Sequence, residues 1–102
     1  MVKVLAVGRA QSGVGWEHIA AYVGEEARHV WELYESDRVR EFYLRADHQP
    51  GLVLIFECGD PTEAERLVAE LPIVETGLLK FEVVLLRPYA GLRQLFENPS
   101  LV

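Results

Sequence analysis

The sequence predicts an α+β domain whose elements run strand, helix, strand, strand, helix, strand, and three observations predict it. Short β-branched runs alternate with amphipathic stretches of helical spacing. The second and third apolar runs are joined only by Asp47-His48-Gln49-Pro50-Gly51, a turn dense in chain-reversing residues, so they form a hairpin. Asp60-Pro61-Thr62-Glu63 then carries the marks of a helix start: a capping Asp, a proline at the first helical position and an acidic residue in the first turn.

The first strand covers residues 2–9 and gives way to the loop Ala10-Gln11-Ser12-Gly13-Val14-Gly15. A helical region follows over residues 16–36, where Ile19, Ala20, Val23, Ala27, Val30, Trp31 and Tyr34 recur at spacings of three and four. Trp31 and Tyr34 fall on this stripe and are expected in the core, and Gly24 is expected to split the region into a short helix and a longer one. Residues 38–46 and 52–58 read as the hairpin strands. The capped helix carries Ala64, Leu67, Val68 and Leu71 and stops before Pro72. Residues 73–77 read as a loop and 78–87 as the fourth strand, ended by Pro88. Leu92, Leu95 and Phe96 give the tail a short amphipathic turn, and Asn98-Pro99-Ser100 is no glycosylation signal because proline fills its middle position. This is the split βαβ, ferredoxin-like order, an antiparallel sheet with both helices on one face.

At 102 residues the chain is expected to hold one domain, spanning 1–102. With 50% hydrophobic and 25% charged residues it lies well away from disorder. Cys58 is the lone cysteine, which rules out an internal disulfide and suits a reducing compartment, the cytoplasm. No apolar run approaches signal-peptide or membrane-spanning length, so no membrane partner is expected. Ten basic against sixteen acidic residues give a net charge of −6, which disfavours nucleic acid because phosphate backbones are held by Lys and Arg.

Alternation sorts each strand into two faces. Val4, Ala6, Phe42, Leu44, Leu52, Leu54, Phe56, Leu79, Phe81, Val83 and Leu85 form one, nearly pure hydrocarbon, to lie under the helices. The other mixes Leu5, Val7, Val53, Ile55, Val84 and Leu86 with Lys3, Arg9, Glu41, Tyr43, Arg45, Glu57, Lys80 and Glu82. Such a face is too apolar for water and too charged to be sealed dry. A second copy packed against it around a partly polar cavity satisfies both constraints, giving a dimeric α/β barrel, with self-association as a homodimer or higher oligomer. A monomer with an open face is the alternative.

Glu41, Tyr43 and Arg45 project from one side of the second strand, Lys80 and Glu82 from the fourth, and Glu57 from the third. Together they suit a small organic ligand. Arg45 and Lys80 would hold its carboxylate, Glu82 or Glu57 would act as general base, and Tyr43 would steady developing enolate charge. Cross-strand ion pairs at an interface rim are the structural alternative. His18, beside Trp16 and Glu17, is the best placed histidine for a catalytic role, against a plain surface position. The three histidines lack the spacing of a metal site, and the 8–15 loop lacks a phosphate-binding glycine pattern, so no metal or cofactor is expected.

Residues 39–88 resemble the muconolactone isomerase-like branch of the dimeric α/β barrel superfamily. The resemblance rests on Tyr43-Leu44-Arg45, the hairpin, the capped helix, Leu71-Pro72-Ile73, and Phe81-Glu82-Val83 ahead of Arg87-Pro88. It implies a ferredoxin-like subunit, dimers or larger assemblies, and a pocket between helices and sheet or inside the barrel. It also implies cofactor-free proton transfer within a small lactone or organic acid, with Glu82 and, more loosely, Arg45 on matching strand motifs. Residues 9–37 depart from the isomerase pattern. A non-catalytic dimeric module that binds a ligand or forms an interaction surface is the competing expectation.

Overall fold

The computed structural model describes residues 1–97; the Asn98-Pro99-Ser100 reading lies outside the described residues. The strands are β1 (Val2–Ala10), β2 (Val39–Leu44), β3 (Leu52–Cys58) and β4 (Leu79–Leu86). The helices are α1 (Trp16–Ala20), α2 (Val23–Glu35), α3 (Pro61–Ala69), α4 (Pro72–Glu75) and α5 (Arg93–Glu97), with a 3-10 turn at Ala90–Leu92. The four strands run in the order β2-β3-β1-β4 and every neighbouring pair is antiparallel, the ferredoxin-like arrangement.

All helices that bear on the core lie on one face. Val4, Ala6, Leu54, Phe56 and Leu79 from the sheet are sealed beneath Ile19, Leu33, Ala64, Leu67, Leu71 and Ile73. Burying each of these larger side chains contributes about 1.5–3 kcal/mol, so this layer carries most of the fold's stability. Cys58 is part of the same core, and burial pushes its thiol pKa up, as suits an inert packing residue.

Between Val39 and Glu41 the pairing of β2 with β3 shifts register. Val39 sits opposite Phe56 and Glu41 opposite Ile55, leaving Arg40 as the extra residue of a bulge. Strict alternation would have placed Glu41 on Val39's face. The bulge instead sends Val39 into the core and Glu41 and Tyr43 to the helix-free side. At the far end of the hairpin a Cβ on Gly51 would collide with the carbonyl oxygen of Gly8, so only glycine lets the hairpin close against β1.

Three expectations need correction. The break in the helical region falls at Ala21-Tyr22, not at Gly24. Tyr22 leaves helical geometry (φ −110°, ψ 3°) and its carbonyl accepts the Glu26 amide as the first bond of α2. Gly24 lies in that first turn, where amides have no helical partner in any case, so it does not interrupt the helix. The expected loop at 73–77 is instead mostly α4: Pro72 cannot continue α3, but its fixed φ suits the first position of a new helix. Trp31 and Tyr34 are not core. They are 54% and 43% exposed, because the buried stripe of α1 and α2 runs through Ile19, Glu26 and Leu33, roughly one position out of phase with the apolar count. Tyr34 stacks on Trp31 and meets the Phe42 ring edge-on at 5.6 Å, forming an aromatic row along the β2 edge. The tail turn forms as expected, yet Tyr89 and Phe96 stay exposed and the segment packs mainly on itself.

Candidate active site

The residues expected to form a site do not converge within one chain. Tyr43 and Arg45 follow β2 at one edge of the sheet, while Lys80 and Glu82 lie on β4 at the other. Three strand spacings of ~4.8 Å separate the two groups by about 14 Å. Arg45 makes two hydrogen bonds to Asp47, at 3.1 and 2.6 Å, which raise the guanidinium's pKa and hold the Asp47 carboxyl below its usual range. Glu57 lies 3.6 Å from Arg40 and 4.0 Å from Lys3. The Tyr43 hydroxyl donates to Glu41 at 2.6 Å, and that carboxylate raises its pKa. Lys80 and Glu82 face Arg9 and Val7 of β1 across the ladder and are exposed.

His18 has a structural task. Its Nδ1 accepts the Gly15 amide at 3.0 Å, satisfying an orphan donor at the start of α1. That bond makes Nδ1 the acceptor and leaves Nε2 to carry the ring proton. Gly15 has no side chain with which to return the contact, so the cap is one-sided.

The other side of the sheet holds a different constellation. A cleft of about 400 Å³ opens between α1–α2 and the β2–β3 end of the sheet. Its inner wall is Ile19, Leu52, Leu54 and Ile73, and exposed Trp16, Val23, Phe42, Tyr43 and Leu44 surround its mouth. Among the lining residues Glu26 is the one carboxyl, and none is Lys, Arg or His.

Glu26 is there because α2 points it inward. Within α2, Glu26, Val30 and Leu33 are spaced four and three apart, so the acid shares the inward side with Leu33. It is 7% exposed. Oε1 accepts the Ile73 amide at 3.1 Å, and that amide is free because it belongs to the first turn of α4. Oε2 is buried without a hydrogen-bond partner. Burial raises the carboxyl pKa above its usual value, opposed by the Ile73 amide and by His29 on the following turn. The cleft therefore combines apolar walls with one carboxyl whose second oxygen is unsatisfied. Of the sequence candidates only Tyr43 is among its lining residues, at the β2 edge, and its hydroxyl is already bonded to Glu41. Sequence reasoning missed Glu26, although a carboxylate on the apolar side of a helix was the signal that could have found it.

No protein-family model matches the sequence, and no curated protein matches it. Among solved structures, the fold is similar to 5-chloro-2-hydroxyhydroquinone dehydrochlorinase (TftG) from Burkholderia phenoliruptrix AC1100, in complex with 2,5-dihydroxybenzoquinone. The two share 18% identity over 83% of this chain and 93% of that one, with a TM-score of 0.61. FFRP-DM1 aligns at 14% identity over 85% of this chain and 100% of that chain, with a TM-score of 0.50. The likeness shows a ferredoxin-like fold. At this identity the likeness reaches the fold and not a particular branch. No helix among the described residues is long and apolar enough to cross a membrane.

Proposed function

We propose that the chain is a small-molecule enzyme that moves a proton within a small unsaturated ring compound such as a lactone, using side chains alone, in the manner of the muconolactone isomerase-like branch. The observation that carries this reading is Glu26: a carboxyl held on one oxygen by Ile73, unpartnered on the other, at the wall of an apolar cleft. A carboxyl with a raised pKa releases and recovers a proton nearer neutral pH than an ordinary acid does. The dehydrochlorinase of the same fold, bound to a dihydroxybenzoquinone, supports a compact oxygenated ring as the ligand type. The working unit is a homodimer joined through the helix-free face, where Leu5 lies between Ile55 and Val84 in register and charged side chains stand beside them.

The second reading, a dimeric ligand-binding module without catalysis, is favoured by the ion pairs that occupy Arg45 and Glu57. Deuterium uptake separates the two. The protein, incubated in D2O with α-angelica lactone or 2-cyclohexenone, is expected to speed exchange at the carbon next to the carbonyl, followed by proton NMR. Glu26→Gln is expected to abolish the acceleration. Full exchange in Glu26→Gln together with loss in Glu82→Gln would move the chemistry to the open face, and no acceleration at all would leave the binding module.

A further inference from the structure

Resting on the same cleft as the proposed reaction, a narrower property follows from what lines it. We infer that this site takes an uncharged ring compound bearing a carbonyl oxygen, hydrogen-bonded by Oε2 of Glu26, and excludes the matching carboxylates.

A bound carboxylate needs cationic or multiple N–H donors to replace its water, and the cleft provides neither. No Lys, Arg or His lines it. The nearest cation along β2, Arg45, follows the rim residue Leu44 but is tied by both of its hydrogen-bonding nitrogens to Asp47. The backbone donor that does reach the cleft, the Ile73 amide, is already used by Oε1 of Glu26. An anionic ligand would therefore be desolvated against hydrocarbon with no cation to balance its charge. A net charge of −6 on the chain also opposes its approach.

A carbonyl oxygen has the opposite fit. It offers Oε2 an acceptor whenever the carboxyl carries its proton, and its ring packs against Ile19, Leu52 and Leu54. Binding thereby relieves the one buried side-chain oxygen left without a partner among the described residues.

Acetophenone and benzoate have nearly the same shape and differ in charge, so they serve as the probe pair. Each is titrated into the 15N-labelled full chain at neutral pH, with the Ile73 amide and the Trp16 indole N–H as reporters. Acetophenone is expected to shift both signals and to bind at least 10-fold more tightly than benzoate. Glu26→Leu, which keeps the wall apolar, is expected to weaken acetophenone binding about 5-fold. Benzoate binding as tightly as acetophenone, neither probe moving the two reporters, or undiminished acetophenone affinity in Glu26→Leu would each overturn the inference. Acetophenone binding without any deuterium exchange would remove the enzyme reading and leave this ligand class standing. Exchange accompanied by a preference for benzoate would do the reverse.

Discussion

The backbone amide of Ile73, at the start of α4, donates to the Glu26 carboxyl 47 positions earlier in the chain, at 3.1 Å. This contact ties α2 to α4 over the sheet and leaves the other carboxyl oxygen buried without a partner. Burial, which this contact only partly opposes, makes stability depend on the protonation of Glu26.

Because burial favours the neutral carboxyl, the pKa of Glu26 is higher in the folded chain than in the unfolded one. The stabilisation belonging to the neutral group is complete below the ordinary value of 4.5 and is lost as pH rises through the raised one. Glu26→Gln removes this titration. The stability of the wild type relative to Glu26→Gln, from urea unfolding, is expected to fall as pH rises from about 4 to about 8, in line with linkage. A difference that stays flat across that range would mean that the carboxyl is solvated and ordinary.

Asp37 holds a left-handed backbone conformation, φ 62°, just past the end of α2, where glycine is the favoured residue. Its side chain offsets this only through an exposed contact to Arg40 at 3.3 Å, worth little in water. Asp37→Gly is expected to stabilise the fold by about 0.5–1 kcal/mol, measured as a higher urea midpoint with an unchanged slope.

At the start of α3, Asp60 accepts the Glu63 amide at 2.8 Å, while Glu63 reaches back to the Gly59 amide at 3.0 Å and to Arg38 at 3.2 Å. The Gly59 amide is the main reason the Glu63 carboxyl lies below its usual pKa. Asp60→Ala is expected to cost about 1 kcal/mol, whereas Asp60→Asn, which preserves the cap, should cost far less. Thermal unfolding of the two variants side by side tests this.

On the helix-free face Ile55 lies beside Leu5, which pairs in turn with Val84. Lysine in that row would set a charge inside the proposed sheet-to-sheet contact. Ile55→Lys is expected to convert a dimer into monomers in sedimentation velocity while leaving the circular dichroism spectrum intact. A wild type that already sediments as a monomer at high concentration would remove the dimer.

Much of the fold is legible in local chemistry. Asp60-Pro61 starts α3 where it should, the 47–51 turn closes the hairpin, and the alternation of β1, β3 and the start of β4 assigns the core face, because each depends on neighbours within a few residues. Farther along β4, Leu85 is left exposed. The 16–36 region was legible in type but not in phase. Val30, Trp31 and Tyr34 count equally as apolar, and only the docking of α2 on the sheet and on α4 turned Leu33 and Glu26 inward and left Trp31 outside.

By itself the sequence determined the order of the elements, the antiparallel hairpin and the apolar layer, since hydrophobic period and turn residues act locally. Tertiary structure alone decided the site. A bulge at Arg40 set which side chains of β2 face which way, and strand order kept Lys80 and Glu82 a sheet's width from Arg45. The meeting of α2 with the first turn of α4 turned an ordinary acidic residue into a buried carboxyl with one oxygen unsatisfied, because a free amide from distant sequence was there to hold the other.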